Sequence, residues 1–304
     1  MEIKRSQKYR AERFASNPII YPDMPGLEGD RGNNINGPSL ICVPAWIEQP
    51  LGRYYLYFAH HGGEYIRLAY ADALEGPWTV YEPGVLHMDE GPGTRHIASP
   101  DVHVDAERRE IRMYFHQPPP LHLKGEGQLS FVALSQDGLH FAARDEVLGA
   151  FYFRVFQYGG WHYAFGKIGS ESGAFYRSVD GLTNFVEGPR ILPEVRHTAM
   201  WLEGDGLYLL YTLVGDTPER ILLTTIDLRR DWGEWEATPA EVVLEPETEW
   251  EGAHLPLEPS RSGAVRGPAR QLRDPGIFEQ DGRRYLLYSV AGEYGIAIAH
   301  LEEW

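Results

Sequence analysis

The chain has 304 residues, long enough for one large all-β domain, and 43% of them are apolar. Its single cysteine, Cys42, excludes an internal disulfide framework. The formal charge of −16 repels phosphate backbones and anionic lipid, which argues against nucleic-acid and membrane-surface partners.

The opening stretch, MEIKRSQKYRAERF, is charged and lacks the apolar centre of a secretory signal, so the expected location is cytoplasmic unless a leader was removed. No apolar run approaches the ~20 residues of a membrane span. From there a pattern repeats. A short apolar strand, a polar turn and an aromatic-rich strand recur in NGPSLICVPAWIEQPLGRYYLYFA, ASPDVHVDAERREIRMYFH, FYFRVFQYGGWHYAFGK, TAMWLEGDGLYLLYTL and RDPGIFEQDGRRYLLYSV. Pro38, Pro100 and Pro275 hold the same place in three of these pairs.

A third strand is expected after each pair, in YIRLAYADA, QLSFVALSQDG, GAFYRSVDG, RILLTTIDL and GIAIAHL. Outer strands are expected in WTVYEPGVLHMD, FAARDEVLG, FVEGPRILPE and ATPAEVVLEPE, which makes four for five units. The missing one is assigned to the amino terminus, where SNPIIYPD shows the same proline and aliphatic pattern. The expected fold is therefore an all-β, five-bladed β-propeller over residues 1–304, a single domain whose last blade is closed by the N-terminal strand.

In such a fold the starts of the first strands and the loops between second and third strands converge on one rim. The first set supplies Asn33, Asn34, Asn36, Arg95, His96, Asp101, Tyr152, Arg154, Arg196, His197, Arg273 and Asp274. The second supplies His60, His61, His116, Gln117, Lys167, Glu171, Asp216 and Glu293. The long connection 246–272 leads to the same rim, and Trp250, His254, Glu258 and Arg261 are candidates to reach over it.

On these residues the chain resembles the five-bladed propeller glycosidases, the arabinanase and β-xylosidase group of glycoside hydrolase family 43 with its relatives in families 32 and 117. SPDVHVD is similar to the Ala-Pro-Asp-Val segment of a family blade, and RDPGIF to an Asp-Pro-Ser strand start; the two S-x-D-G turns add to the likeness. The resemblance implies cleavage of glycosidic bonds by a carboxylate base or nucleophile, a carboxylic acid donor and a further Asp that tunes the donor. The chain departs from that pattern at two of the three positions. It has Gly37, beside Asn36, where the first blade presents its Asp, and Arg196 with His197 where a later blade presents a Glu.

Asp101 and Asp274 are therefore the expected catalytic carboxylates, with His197 or Glu293 assisting proton transfer. Asn36, His61, Arg95, His96, His116, Tyr152, Arg154, Arg196 and Arg273 are the expected sugar-binding residues. The rim arginines suggest a substrate carrying an acidic group, since guanidinium forks bind carboxylate and sulfate. The expected partner is a plant or algal oligosaccharide. No metal ligand set is assigned, because no local His spacing supports one, although a divalent metal at the funnel stays open as a tertiary cluster. Two alternatives are carried forward: a polysaccharide lyase using Tyr152, Arg154 and His197, and a non-catalytic sugar-binding propeller.

Overall fold

The computed structural model describes residues 4–5, 9–120, 127–169 and 172–303. Apart from three short 3-10 turns, all regular structure among these residues is β-strand. One four-stranded sheet runs in chain order through Asn36–Cys42, Tyr54–Ala59, Tyr65–Ala71 and Thr79–His87. An eight-stranded sheet holds two further meanders, Ala98–Asp105 to Leu129–Ser135 and Gly149–Tyr158 to Val186–Pro193. These halves are joined by a short ladder that pairs Gly149 with Ser130 and Ala150 with Leu129.

The next sheet contains Val195–Glu203, Gly206–Leu213, Ile221–Asp227 and Glu241–Leu244, with Lys4–Arg5 added in parallel at its outer edge. The last contains Arg273–Gln280, Arg283–Ser289, Ile296–Glu303 and, from the other end of the chain, Tyr9–Arg13. The innermost strands touch in a cycle. Asn36–Cys42 packs on Ala98–Asp105, then Gly149–Tyr158, Val195–Glu203 and Arg273–Gln280 follow, and the last returns to Asn36–Cys42.

Alternation explains the aromatic strands. In Tyr54–Ala59, Tyr55 and Tyr57 face one neighbouring sheet while Leu56 and Phe58 face the other, because successive side chains leave opposite faces. Both faces are covered, so all four are completely buried, each worth roughly 1.5–3 kcal/mol of apolar transfer. A strand with two covered faces reads as a continuous apolar run, which is what YYLYFA and YLLYS are.

The S-x-D-G turns are structural. Asp137 Oδ1 accepts the Leu139 and His140 amides at 2.8 and 2.9 Å, and Asp180 Oδ1 accepts those of Leu182 and Thr183 at 2.8 Å each. Each turn glycine then offers its carbonyl to a tyrosine of the preceding meander: Tyr57 Oη donates to Gly138 at 2.9 Å and Tyr114 Oη to Gly181 at 2.8 Å. Replacing Tyr114 by Phe strands a buried carbonyl and is expected to destabilise the protein by about 1–2 kcal/mol, read as a lower melting temperature.

Two sequence expectations are corrected. FAARDEVLG forms only the two-residue strand Ala142–Ala143 before the chain enters the next inner strand. The closing strand is Tyr9–Arg13, paired with Ala299–Glu303, rather than SNPIIYPD. Prolines 18 and 22 lack the N–H that a ladder needs, so Ile19 and Ile20 instead cap the sheet by donating to the Ile296 carbonyl at 2.8 and 3.2 Å. Tyr9–Arg13 alternates buried and exposed residues, and Tyr9 packs edge-on against Trp201 and Tyr208.

Candidate active site

Each inner strand opens with a bulge. One extra residue is inserted between Asn36 and Ser39, Ala98 and Asp101, Phe151 and Arg154, Val195 and Thr198, and Arg273 and Gly276. Bulges re-aim a side chain out of the ladder. The second residue has positive φ at Gly37 (64°), Ser99 (54°), Tyr152 (63°) and Asp274 (44°). For the three that are not glycine this costs on the order of 1–3 kcal/mol each. Aligned on the bulges, Asp274 corresponds to Gly37, Ser99, Tyr152 and Arg196, whereas Asp101 corresponds to Ser39, Arg154, Thr198 and Gly276. The two aspartates expected to match occupy different levels.

Asp274 sits against His197. The Asp274 amide donates to His197 Nδ1 at 3.2 Å, which leaves the imidazole proton on Nε2. Nε2 lies 3.2 Å from the Tyr152 hydroxyl and 3.1 Å from Asp274 Oδ1. Burial, and then the charges of Arg196, Arg273, Lys167 and Arg154, hold His197 neutral, its pKa well below the usual imidazole value. Asp274 Oδ2 is buried and has no hydrogen-bond partner. Burial first, and then the nearby Glu293 charge, push the Asp274 pKa up to about 7 against the pull of Arg273 and Arg154.

Glu293 behaves in the opposite way. It is as buried as Asp274, and burial alone would raise it. Its contacts with His61 (3.8 Å), Arg273 (Nη1 to Oε1, 2.8 Å) and the Asn34 amide outweigh that and bring it down to about 2. Asn34 is positioned in turn: its Oδ1 accepts from the Asn36 amide at 2.8 Å and the His61 backbone at 2.7 Å.

Glu219, which the sequence reading did not single out, lies between two arginines. Its Oε1 is 3.0 Å from Arg196 Nε and its Oε2 is 3.1 Å from Arg273 Nε, contacts of charge rather than aligned hydrogen bonds. The same arginines reach the long connection: Arg196 donates to the Arg261 and Gly263 carbonyls, and Arg273 to Gly263 at 3.3 Å. The Arg261 and Gly263 backbone therefore packs against this cluster, while the Arg261 side chain is exposed. Trp250 does not; it packs in the apolar layer that includes Tyr9 and Trp201. His254 and Glu258 are exposed.

Other expected residues divide. Lys167 is buried with the Phe151 ring 5.8 Å away, and burial and then the Arg196 charge lower its pKa to about 8. His116 stands edge-on to Tyr152 at 4.7 Å and to His96 at 6.3 Å, while His96 Nε2 meets Gln128 at 2.7 Å. Arg154 crosses to the Thr198 and Ser99 carbonyls at 3.1 and 3.3 Å. Arg95 is exposed, outside this network, and Glu171 lies outside the described residues.

Asp101 accepts from the Val155 amide at 2.8 Å and meets His103 at 2.7 Å, lining an axial cavity of about 100 Å³ with Ser39, Arg154 and Gly276. The structure does not bring it into the Asp274–Glu293 cluster. Among the described residues no three His, Cys, Asp or Glu are arranged to hold a metal ion, since arginines occupy the spaces between the carboxylates.

The chain is 36% identical, over 324 aligned positions covering 95% of this chain and 89% of the other, to an uncharacterized protein of Acanthamoeba polyphaga mimivirus. No family model matches it. Among solved structures, it is similar to a GH43 β-xylosidase/α-arabinofuranosidase from a compost microbial metagenome, solved with xylotriose in a calcium-free form (15% identity, 96% and 94% of the two chains, TM-score 0.61). It is also similar to a structure from work on the GH130 family of mannoside phosphorylases, which contains glycoside hydrolases that target β-1,2 mannosidic linkages in Candida mannan (14% identity, 96% and 94%, TM-score 0.67). At this level of identity the likeness establishes the fold, a propeller like that of glycoside hydrolase family 43.

Proposed function

We propose that this chain, which belongs to the same family as that uncharacterized mimivirus protein, is a glycosidase acting on oligosaccharides, of the plant or algal kind, a reading supported by its family 43 propeller fold. Its sheets are read as five blades of one propeller domain, with the cycle of inner strands as support and Tyr9–Arg13 closing the last blade. The observation that carries the reading is a buried pair of carboxyls in unlike surroundings: Asp274 Oδ2 has no hydrogen-bond partner, whereas Glu293 is held by Arg273 and the Asn34 amide. Those surroundings push the Asp274 pKa up and the Glu293 pKa down, the division of roles that a donor and an anion need in acid-assisted bond cleavage.

In this reading Asp274 holds its proton on Oδ2, which has no partner to compete for it. That proton passes to the departing glycosidic oxygen as the C–O bond breaks. The ionised Glu293 meets the positive charge developing at the anomeric carbon. Water supplies the hydroxyl that completes the new hemiacetal, and its proton restores Asp274. His197 positions Asp274 through both ring nitrogens, and Asn34 with Arg273 fixes Glu293.

The lyase alternative fits less well. His197 already carries its proton on the nitrogen facing the site, and burial raises the Tyr152 pKa, so neither is poised to remove a proton. The test is a screen of oligosaccharides with two readouts. Release of reducing ends without ultraviolet absorbance is expected. Absorbance from an unsaturated uronate product would replace hydrolysis with elimination, and tight binding without turnover would replace it with a sugar-binding module.

A further inference from the structure

Among the expected rim arginines, Arg196 and Arg273 are neutralised by Glu219 and Glu293, and Arg154 is spent on backbone carbonyls. Those residues leave little positive charge for an acidic substrate. A surplus exists elsewhere. The segment that reaches the cluster forms an open cleft of about 440 Å³, lined by the exposed Arg261 and Arg266, the half-buried Arg270 and the buried Arg273, with Gln271 and the single carboxylate Glu258. No carboxylate lies within ion-pairing distance of the Arg261, Arg266 or Arg270 guanidinium among the described residues. Arg270 Nε is buried and has no hydrogen-bond partner.

In a chain of net charge −16 a pocket wall of unpaired guanidiniums runs against the overall field. A buried N–H without an acceptor is unfavourable unless a ligand supplies one. Arg273 connects the two places, holding Glu293 on one side and lining the cleft on the other. We propose that this cleft takes an anionic substituent of the oligosaccharide, a carboxylate or a sulfate ester, held by Arg261, Arg266 and Arg270. The proposal deepens the glycosidase reading and rests on it for the identity of the attached sugar.

The experiment is calorimetric titration of the whole chain and of the double variant Arg266→Gln/Arg270→Gln. The probes are a trigalacturonate, a sulfated disaccharide, neutral xylotriose, free glucuronate and inorganic phosphate. One of the two acidic sugars is expected to bind at least about tenfold more tightly than xylotriose, weakening with salt. That preference should disappear in the double variant while xylotriose binding is unchanged; which acidic sugar is preferred identifies the substituent. Glucuronate binding that depends on the two arginines, with no oligosaccharide cleaved, would support the pocket and sink the glycosidase reading. Equal affinity for neutral and acidic sugars, a preference that survives the double variant, stronger binding of inorganic phosphate than of either acidic sugar, or no binding of any anionic probe would each overturn the proposal.

Discussion

Replacing Asp274 by Asn is expected to lower turnover by about 10²–10⁴-fold, the usual contribution of a positioned proton donor. Sugar binding should persist, because the amide keeps the shape of the side chain. The wild-type rate should fall as pH rises through about 7, where Asp274 loses its proton, and the variant's residual activity should lack that limb. The same group sets a stability trend. Its folded pKa is raised from the usual 3.8 to about 7, so the stabilisation is fully present below about pH 4 and is lost as pH rises through about 7. At about 1.4 kcal/mol per unit, ionisation of Asp274 costs on the order of a few kcal/mol at alkaline pH. Asn cannot ionise. The variant should therefore melt above the wild type at pH 9, with an advantage that shrinks as pH falls through 7 and vanishes below about pH 4. A variant with wild-type turnover, or with an unchanged alkaline limb, would assign the proton to another group.

Much of this architecture can be read from residue patterns because the pieces are local. Hairpin turns such as EGDG and EQDG, the S-x-D-G turns and the doubly buried aromatic strands declare themselves within a few residues. The closing strand is harder to see. YRAER is polar except for Tyr9 and Ala11, since only one of its faces meets the core, and the aliphatic SNPIIYPD draws attention instead.

The site shows the same division. Asp274, His197, Glu293 and Tyr152 are legible as rim residues because they sit at strand starts and in a Gly-flanked loop. The level of Asp101 is not legible, because SPDVH and RDPGI look alike until the bulges are counted: each Pro lies within its bulge, but one Asp follows Pro and the other precedes it. Glu219 is hidden for another reason. It neutralises Arg196 at the start of its own sheet and Arg273 at the start of the next, and only the packing of those two neighbouring sheets brings the three together. A local signal existed in its place just before the third strand, although Asp216, in the same connection, was the acid that stood out; it pairs with Arg220 at 3.0 Å.

Glu219→Ala is expected to be the most destabilising single change in the site. The carboxylate is completely buried, and so, nearly, are both guanidiniums it separates. Removing it leaves the buried Arg196 without its carboxylate and Arg273 with Glu293 alone, and breaking a buried pair typically costs about 3–5 kcal/mol. Lys167 and Arg154 add to the positive charge left behind. Glu219→Gln keeps the volume and an acceptor but not the charge, so its loss of stability should be smaller. It also gives a readout that simple unfolding does not. Glu219 raises the Asp274 pKa, so its neutralisation should move the alkaline limb of the rate profile to lower pH. Thermal melts of both variants, with a pH–rate profile of the Gln form, check the two consequences together. An unshifted limb in a folded Gln variant would mean that Glu219 holds the arginines and the segment packed against them in place without acting on the proton of Asp274.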